Sequence, residues 1–175
     1  MNILIIGNCG VGKTWVMKQL IKHHKLKQRG KLGLFKFRYN EDMLVVGKYD
    51  GSTFEGSDKL SMAVMRDIHT FKNWCDHRGG IAVAEGDRFM NKKYIDNMNP
   101  LIIQTQGNGE QGRSIRGSRQ TDRHLKAINT RVSNIANEFG IVKVEDSNHC
   151  LKMINEQIDK RRILKGKKGQ LLEAI

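Results

Sequence analysis

The segment ILIIGNCGVGKT, residues 3–14, constrains the fold of this chain more than any other part of the sequence. It matches G-x-x-x-x-G-K-[ST] at every fixed position, directly after an apolar run typical of a buried parallel strand. Glycines at Gly7, Gly10 and Gly12 leave room for backbone N–H groups to turn toward phosphate oxygens. A helix that begins at Lys13 adds its positive N-terminal end. The segment therefore predicts a strand, a phosphate-binding loop and a helix, in that order.

The chemistry of this loop calls for a nucleoside triphosphate, so we expect ATP and Mg²⁺ as cofactors. The Lys13 amine can reach the β- and γ-phosphates, and the Thr14 hydroxyl can hold Mg²⁺. The alternative is a chance glycine-rich turn, and the full match between a predicted strand and a predicted helix argues against it. Contacts with the nucleotide are expected from Gly7, Asn8, Cys9, Gly10, Val11, Gly12, Lys13 and Thr14.

The rest of the chain alternates between predicted strands and predicted helices. Strands are predicted at residues 3–6, 33–38, 43–49, 81–89, 101–106 and 141–145, and helices at about 13–25, 58–74, 118–139 and 149–164. This alternation predicts an α/β three-layer P-loop NTPase fold, with a mainly parallel sheet flanked by helices. A length of 175 residues favours a single domain that spans residues 1–175. Within it we expect an arginine-rich lid at about 107–124 and a basic C-terminal tail at about 160–169.

Charge favours a polyanionic partner. The chain has 31 lysines and arginines against 18 aspartates and glutamates, a net charge of +13. Because the basic residues are clustered, we expect DNA as the partner, bound through its phosphate backbone and therefore salt-sensitive. The alternative is a basic enzyme that binds small phosphates. The clearest cluster is in the tail: Lys160, Arg161, Arg162, Lys165, Lys167 and Lys168. The oligomeric state does not follow from the sequence.

The cysteines and the hydropathy pattern bear on location. Cys9, Cys75 and Cys150 are far apart and lack metal-ligand spacing, which is typical of reduced thiols in an intracellular protein. No segment has the length of apolar sequence that a membrane span needs, and no leader-like segment is evident. We therefore expect a cytoplasmic protein without a membrane partner.

Motifs that are missing narrow the class of nucleotide enzyme. A switch GTPase needs a guanine-reading N-K-x-D, but Asn91-Lys92 continues into Lys93-Tyr94. The D-x-x-G at residues 76–79 precedes a predicted strand instead of ending one, so we interpret it as a turn. A motor ATPase normally needs a longer chain, and no strand ends in an apolar run followed by Asp-Glu. Small kinases remain.

Charged residues follow the strand IAVA at its carboxyl end, where residues that act on phosphates are expected. Glu85 is a candidate Mg²⁺ ligand together with Thr14, and Arg88 is a candidate for stabilising the transferring phosphoryl group. Asp87 is the second carboxylate of this group. The alternative is a surface cluster of acids and bases at a strand end.

A second polar group, YDGSTFEGSDKLSM at residues 49–62, lies between a predicted strand and a predicted helix. A kinase needs a carboxylate here to orient and deprotonate the acceptor hydroxyl. Asp58 is the first candidate because it begins the helix, Asp50 is the second, and Ser57 is a plausible N-cap that also faces the substrate. An aspartate in the first turn of a helix also has a simpler explanation, since it interacts favourably with the helix dipole.

Arginines dominate the segment around the predicted lid. Arg116, Arg119, Arg123 and Lys126 share one helical face if the helix starts early enough. Arginines of such a lid neutralise the phosphoryl group in flight and exclude water. We expect Arg116 to be catalytic, Arg119 and Arg123 to bind the nucleotide, and Arg131 to contact the substrate. A solvated basic face of an amphipathic helix is the alternative.

With GNCGVGKT, the strand-end EGDR and the arginine-rich lid, the sequence resembles the P-loop kinases of the nucleoside and nucleotide kinase type. Its size, basic charge and YDGSTFEGSDKLSM block are similar to phage kinases that act on 5-hydroxymethyluracil in DNA. The resemblance implies transfer of the γ-phosphate of ATP to the hydroxymethyl group of a base within DNA, in the cytoplasm of a bacterial host. Asp87-Arg88-Phe89 departs from the D-R-[SHY] of deoxynucleoside kinases. Residues 7–14, Glu85 and Arg88 are the ones carried over.

Two other functions stay open on the sequence. A deoxynucleoside monophosphate or nucleoside kinase would act on free nucleotides, with its basic surface incidental. A nucleic-acid-binding ATPase would hydrolyse ATP without transferring phosphate to an acceptor.

Overall fold

A seven-stranded sheet forms the centre of the computed structural model, which describes residues 1–52, 55–107, 109–115, 117 and 120–172, with side chains through Leu164. Its strands are β1 (Asn2–Ile6), β2 (Gln28–Leu32), β3 (Phe35–Tyr39), β4 (Met43–Val46), β5 (Ile81–Glu85), β6 (Leu101–Thr105) and β7 (Ile141–Val144). They lie in the order β2-β3-β4-β5-β1-β6-β7. The pairs from β4 to β7 are parallel, and β2 and β3 add an antiparallel hairpin at one edge.

Helices cover both faces of this sheet. They are α1 (Lys13–His23), α2 (Ile68–Arg78), α3 (Lys92–Met98), α4 (Gly109–Ile115), α5 (Asp122–Glu138) and α6 (Ser147–Leu172), with short 3₁₀ helices at Ser57–Lys59 and Val64–Asp67. One hydrophobic cluster joins the sheet to α1 and α6, and the other joins it to α2, α3 and α5. The predicted α/β fold with a mainly parallel sheet between helical layers is confirmed.

Strand β1 shows why the apolar run before the phosphate loop is continuous. Leu4 and Ile6 enter the cluster on the α2 side, while Ile3 and Ile5 enter the cluster on the α1 side. A strand that is buried on both faces needs apolar residues at every position. Its neighbour β5 is equally buried, and their register sets Ile5 beside Glu85. The phosphate loop and the acid that ends β5 therefore leave the sheet side by side.

The segment before α2 differs from the prediction of one helix over residues 58–74. Leu60 has extended backbone, with φ −80° and ψ 155°, so the first helical turn stops there. The second 3₁₀ helix and α2 then bury Val64, Ile68, Phe71 and Cys75. The expected N-cap at Ser57 is also wrong, because Gly56 occupies that position and makes no side-chain cap.

Other element boundaries also differ. Residues 76–79, predicted as a turn, complete α2 and its Gly79 cap, and β5 ends at Glu85 instead of residue 89. Helix α5 starts at Asp122 because the Thr121 side chain accepts a hydrogen bond from the His124 N–H. Residues 109–115, predicted as loop, form α4.

Besides α4, two further elements had no predicted counterpart, and one helix is longer than predicted. Strand β2 was missed because QRGKL is polar, and α3 was missed because it is short. Helix α6 continues through Leu172, so the backbone of the basic segment at 160–169 is helical. None of the helices within the described ranges is both long and apolar enough to cross a membrane.

Candidate active site

The phosphate loop is in the conformation that its glycines permit. Gly7, Gly10 and Gly12 have φ values of 145°, 92° and 88°, a region that side chains with a Cβ rarely adopt. The Lys13 Nζ donates to the carbonyl oxygens of Gly7 and Asn8, both at 2.8 Å. The amine therefore lies over its own loop, at the place where phosphate oxygens are expected to bind.

Glu85 is an acid that lies beside this loop. Its side chain is 4% exposed, and its Oε1 accepts a hydrogen bond from the Thr14 hydroxyl at 3.3 Å. Burial raises the pKa of Glu85, the charge of Lys13 works in the opposite direction, and Asp58 adds to the rise. A bound cation would stabilise the charged form of a carboxylate that is buried beside a hydroxyl in this way.

This pair fits Mg²⁺ that arrives with a nucleotide. Mg²⁺ usually keeps several waters and binds through one or two carboxylates and the phosphates of its substrate. Within the described ranges no group of three or more His, Cys, Asp or Glu side chains is placed to hold a metal ion. Thr14 and Glu85 can therefore supply the protein's share of the ligands, and the nucleotide supplies the rest.

A group of polar side chains faces Glu85 from the segment between β4 and α2. The hydroxyls of Tyr49 and Ser57 are buried and have no hydrogen-bond partner among the described residues. Burial raises the pKa of Tyr49 well above its usual value, and the nearby acids Glu85, Glu55 and Asp58 raise it further. Buried hydroxyls without partners are uncommon in native proteins and indicate that a ligand or water completes them. We call Tyr49, Ser57, Asp58 and Glu85 the acceptor cluster.

Asp58 lies at the solvent-facing side of the acceptor cluster. It is exposed on the first 3₁₀ helix, and a Cβ added at Gly86 would lie 2.5 Å from the Ser57 Oγ and 4.0 Å from the Asp58 Oδ1. The turn after Glu85 therefore passes directly under Ser57 and Asp58. The two acids that the sequence placed in separate roles lie beside each other, one buried and one accessible.

Asp50, the second candidate base, is engaged elsewhere. It pairs with Lys48 at 2.9 Å and accepts a hydrogen bond from the Ser52 hydroxyl at 2.7 Å. These two partners hold the pKa of Asp50 below its usual range. Glu55 pairs with Lys18 of α1 and accepts from the Gly51 N–H, so it fixes this segment against α1. Both acids therefore shape the segment between β4 and α2.

The arginines after β5 occupy two different positions. Arg88 is half-buried, and its Nε donates to the Leu60 carbonyl at 3.4 Å, which sets it beside the acceptor cluster. Arg131 of α5 forms an ion pair with Asp87. This pair joins α5 to the turn after β5, so the structure gives Arg131 a protein partner at the place where a substrate contact was predicted.

Helix α4 lies on the phosphate loop. The Arg113 Nη1 donates to the Cys9 carbonyl at 3.0 Å. A Cβ at Gly10 would lie 1.9 Å from the Gly109 carbonyl oxygen, and one at Gly112 would lie 1.9 Å from the Gly10 carbonyl oxygen. The backbone of α4 therefore packs directly on the backbone of the phosphate loop, and a side chain at Gly10 or Gly112 would prevent this contact.

Arg113 contacts the phosphate loop, although it was not among the arginines singled out in the sequence. The three-residue spacing of Gly109 and Gly112 puts both glycines on one face of α4. This spacing was the feature of the sequence that could have indicated a helix packed on the loop. Arg123 lies exposed in the first turn of α5. The other two predicted lid arginines, Arg116 and Arg119, lie outside the described residues.

The first turns of α6 border the loop on another side. A Cβ at Gly12 would lie 2.8 Å from the Ser147 Cβ. The same helix carries a cavity of about 390 Å³, which is a candidate place for the part of a nucleotide beyond its phosphates. Its lining residues are Asp146, Asn148, His149, Lys152, Met153 and Glu156.

Comparison with known proteins leaves the family open. No family model and no curated protein matches the sequence. Among solved structures, an uncharacterised protein from Eubacterium ventriosum has 15% identity and a TM-score of 0.47, over 91% of this chain and 98% of that chain. A deoxyadenosine kinase from M. mycoides, with dCMP and a flexible dCDP bound, has 10% identity and a TM-score of 0.44, over 91% and 99%. These likenesses are too distant to argue for a function.

Proposed function

We propose that the protein is an ATP-dependent kinase that transfers the γ-phosphate to a hydroxyl group of a nucleoside unit. The observation that supports this most is the position of Glu85. Its buried carboxylate accepts from Thr14 of the phosphate loop on one side and borders Ser57 and Asp58 on the other. A donor site and an acid-lined acceptor site therefore share one wall.

The donor half binds the triphosphate. Backbone N–H groups of the loop and the start of α1 hold the phosphates, and Lys13 exchanges its two carbonyl partners for phosphate oxygens. Mg²⁺, held by Thr14 and Glu85, supplies neutralisation of phosphate charge when it is bound with the nucleotide. Arg113 on α4 lies above the loop at Cys9, where its charge stabilises the group being transferred.

The acceptor half favours a neutral hydroxyl over a phosphate. Asp58 places negative charge at its accessible side, and a monophosphate acceptor would be repelled by this carboxylate. A hydroxyl, by contrast, can donate to Asp58 and lose its proton to that carboxylate as the new bond forms. Ser57 and Tyr49 offer hydroxyl partners that the described residues leave unused. We assign the base to Asp58 and the metal ligand to Glu85.

The nucleoside unit has two possible sources. A free nucleoside fits the site without further requirements, since nothing beyond the acceptor cluster is needed to place its hydroxyl. The hydroxymethyl group of 5-hydroxymethyluracil within DNA is the second candidate, favoured by the net charge of +13. A base within a duplex must first be flipped out, at a cost of about a few kcal/mol, and contacts with the backbone can offset that cost.

Incubation with γ-labelled ATP and Mg²⁺ tests the proposal. The acceptors are free deoxynucleosides, free deoxynucleoside monophosphates, hydroxymethyluracil DNA and ordinary DNA. Label on a nucleoside hydroxyl or on the hydroxymethyl group supports the proposal and separates the two candidates. Transfer of label only to the added monophosphates, which turns them into diphosphates, contradicts the choice of a hydroxyl acceptor. Release of inorganic phosphate without any labelled acceptor indicates an ATPase and contradicts the kinase.

A further inference from the structure

The hairpin β2–β3 has two faces with different surroundings. On one face Phe35 and Phe37 are buried, and Phe35 stacks on Phe71 of α2 with ring centroids 4.0 Å apart. Because side chains alternate along a strand, the residues between these aromatics point to the α1 side. The side chains on that second face are Arg29, Lys31, Lys36 and Arg38, and we call them the hairpin cations.

Within the described part of the chain, most of the hairpin cations have no carboxylate partner. Arg29, Lys31 and Lys36 are exposed, and none forms an ion pair with a carboxylate among the described residues. Lysines elsewhere do find such partners: Lys18 with Glu55, Lys48 with Asp50, Lys72 with Asp76 and Lys92 with Glu138. The hairpin is therefore an uncompensated patch of positive charge.

The register of the hairpin concentrates this charge. Arg29 lies directly opposite Arg38, and Lys31 lies directly opposite Lys36. Like charges that face each other across two strands destabilise the pairing. The two rows are two residues apart along the strand, which corresponds to about 7 Å. Anions bound between the rows would turn this repulsion into attraction.

The patch is continuous with the acceptor cluster. A cavity of about 270 Å³ lies over the hairpin, with Gly47, Lys48, Tyr49 and Asp50 in its lining. The Arg38 Nη2 donates to the Tyr49 carbonyl at 2.9 Å. Tyr49 thus belongs to the wall of this groove through its backbone and to the acceptor cluster through its hydroxyl.

We propose that the hairpin cations bind the phosphate backbone of a single strand of DNA and lead one of its nucleosides to the acceptor cluster. The choice of nucleic acid rests on the proposed function, because the acceptor there is a nucleoside unit. Positively charged grooves that track the backbone are typical of proteins that bind single strands. The strand keeps its bases free, so one of them can enter the site beside Tyr49.

Two paired rows of cations favour a polymer over a single phosphate. One phosphate would neutralise one row and leave the other row in repulsion, whereas neighbouring phosphates of an extended strand can reach both. The basic segment of α6 is a weaker candidate for this contact. Its Arg161 donates to the Gly79 carbonyl at 2.6 Å, and its Arg162 pairs with Asp42 at 3.2 Å. Those two arginines already hold α6 to the sheet. The hairpin's own Arg38 is held in the same way by the Tyr49 carbonyl, so Arg29, Lys31 and Lys36 carry the proposed contact.

Salt-dependent binding of a labelled oligothymidylate tests the inference. A strand of about 16 nucleotides is long enough for one site. The test variant is Lys31→Ala with Lys36→Ala, and the matched control is Lys93→Ala with Lys143→Ala, which removes two exposed lysines elsewhere. Thermal unfolding of both variants checks that the fold is intact. Since a lysine contact with a single strand contributes about 0.7 to the slope of log K against log salt, the test variant should lower that slope by about 1.4.

The control variant should keep the slope of the unaltered protein. Equal losses in both variants would overturn the inference, because they would show diffuse attraction without a defined surface. Heparin serves as a competing polyanion that is not a nucleic acid. If heparin displaced the labelled strand from the unaltered protein as well as unlabelled oligonucleotide does, and failed to do so in the test variant, the assignment to nucleic acid would be overturned.

Phosphorylation of free deoxynucleosides separates this inference from the proposed function. The test variant should keep that activity, because the hairpin cations lie outside the acceptor cluster. Loss of slope with retained activity supports the inference. If the test variant has a lower salt slope and the unaltered protein transfers no phosphate, the DNA-binding surface is supported and the proposed kinase function is contradicted. Unchanged slope in an active kinase contradicts the DNA surface alone.

Discussion

The two halves of the site are built in different ways. The donor half consists of consecutive residues, 7–14, between a strand and a helix that follow each other in sequence. The acceptor half collects Tyr49 after β4, Ser57 and Asp58 before α2, and Glu85 at the end of β5. Local sequence is sufficient for the first half, whereas the second half exists only when the sheet is assembled.

This difference has a chemical counterpart. The proposed donor half is an array of backbone groups plus Lys13, so we expect it to bind a triphosphate with little dependence on its neighbours. The acceptor half is a set of side chains whose burial changes their chemistry, as the raised pKa values of Glu85 and Tyr49 show. Specificity for the acceptor therefore lies in packing, and substitutions in the two halves should have different signatures.

The largest effect is expected in the donor half. Lys13→Ala removes the charge that reaches the phosphates, so kcat should fall at least about a thousandfold, the size of effect attributed to a dedicated phosphoryl-stabilising cation. Steady-state kinetics with saturating acceptor measures the change. Lys22→Ala, in an exposed position of the same helix, is the control. Near-normal turnover in Lys13→Ala would contradict the role of the loop in catalysis.

Asp58→Asn tests the acceptor half. The amide keeps the size of the side chain and cannot take a proton, so kcat should fall about 10²- to 10⁴-fold while the KM for ATP stays nearly constant. Asp50→Asn is the matched control, because Asp50 is tied to Lys48 and Ser52. If the control loses as much activity as the test variant, then the base has been assigned to the wrong carboxylate.

Arg113→Ala sharpens the comparison at the boundary between the halves. The lid contact at Cys9 is lost, and removal of one such charge should lower kcat about 10²-fold. The exposed Arg123 should give a much smaller loss when it is replaced by alanine. The kcat of both variants is measured side by side. A larger loss in Arg123→Ala than in Arg113→Ala would contradict the assignment of Arg113.

The smallest effect is expected for Glu85→Gln, and it concerns the stability of the protein, whereas the other substitutions change kcat. The folded-state pKa of Glu85 is raised by burial, so the protonated form is favoured in the folded protein. Its stabilising contribution is present below the ordinary carboxyl pKa and is lost as the pH rises through the folded value. Without nucleotide, the variant should therefore gain in Tm relative to the unaltered protein as the pH rises from acidic to neutral values.

Calorimetry over that pH range measures the difference. Addition of Mg²⁺ and a non-hydrolysable ATP analogue should raise the Tm of the unaltered protein more than that of Glu85→Gln, because the carboxylate gains a cation. Parallel pH curves for the two proteins would show that Glu85 is not held in a raised-pKa state.

The residues of the proposed donor half could be singled out from the sequence because their signal is local. Residues 7–14 carry both the conformation and the chemistry, and the apolar runs around them predicted the parallel sheet. Strand β2 could not be predicted from QRGKL, since its pairing with β3 and the packing of Phe35 and Phe37 stabilise it from outside the segment. Tertiary context overrides local preference in such a strand.

The acceptor half was predicted in part. Asp58 and Glu85 were identified as separate candidates, but their proximity depends on the turn at Gly86 and the short helix at Ser57–Lys59. Tyr49 gave no signal, because a tyrosine becomes informative only when its hydroxyl is buried without a partner. Arg113 was not among the predicted lid residues, because a lid predicted without its helix does not specify which arginine contacts the phosphate loop.

Analysis of the reaction product by ³¹P NMR tests the central claim most directly. The unaltered protein is incubated with ATP, Mg²⁺, one deoxynucleoside and the monophosphate of a different deoxynucleoside, and every new phosphorus signal other than that of ADP is assigned. The account predicts a phosphate monoester of the added deoxynucleoside, formed far more slowly by Asp58→Asn. A diphosphate of the second deoxynucleoside as the only new product besides ADP would contradict it, because the acceptor would then be a phosphate.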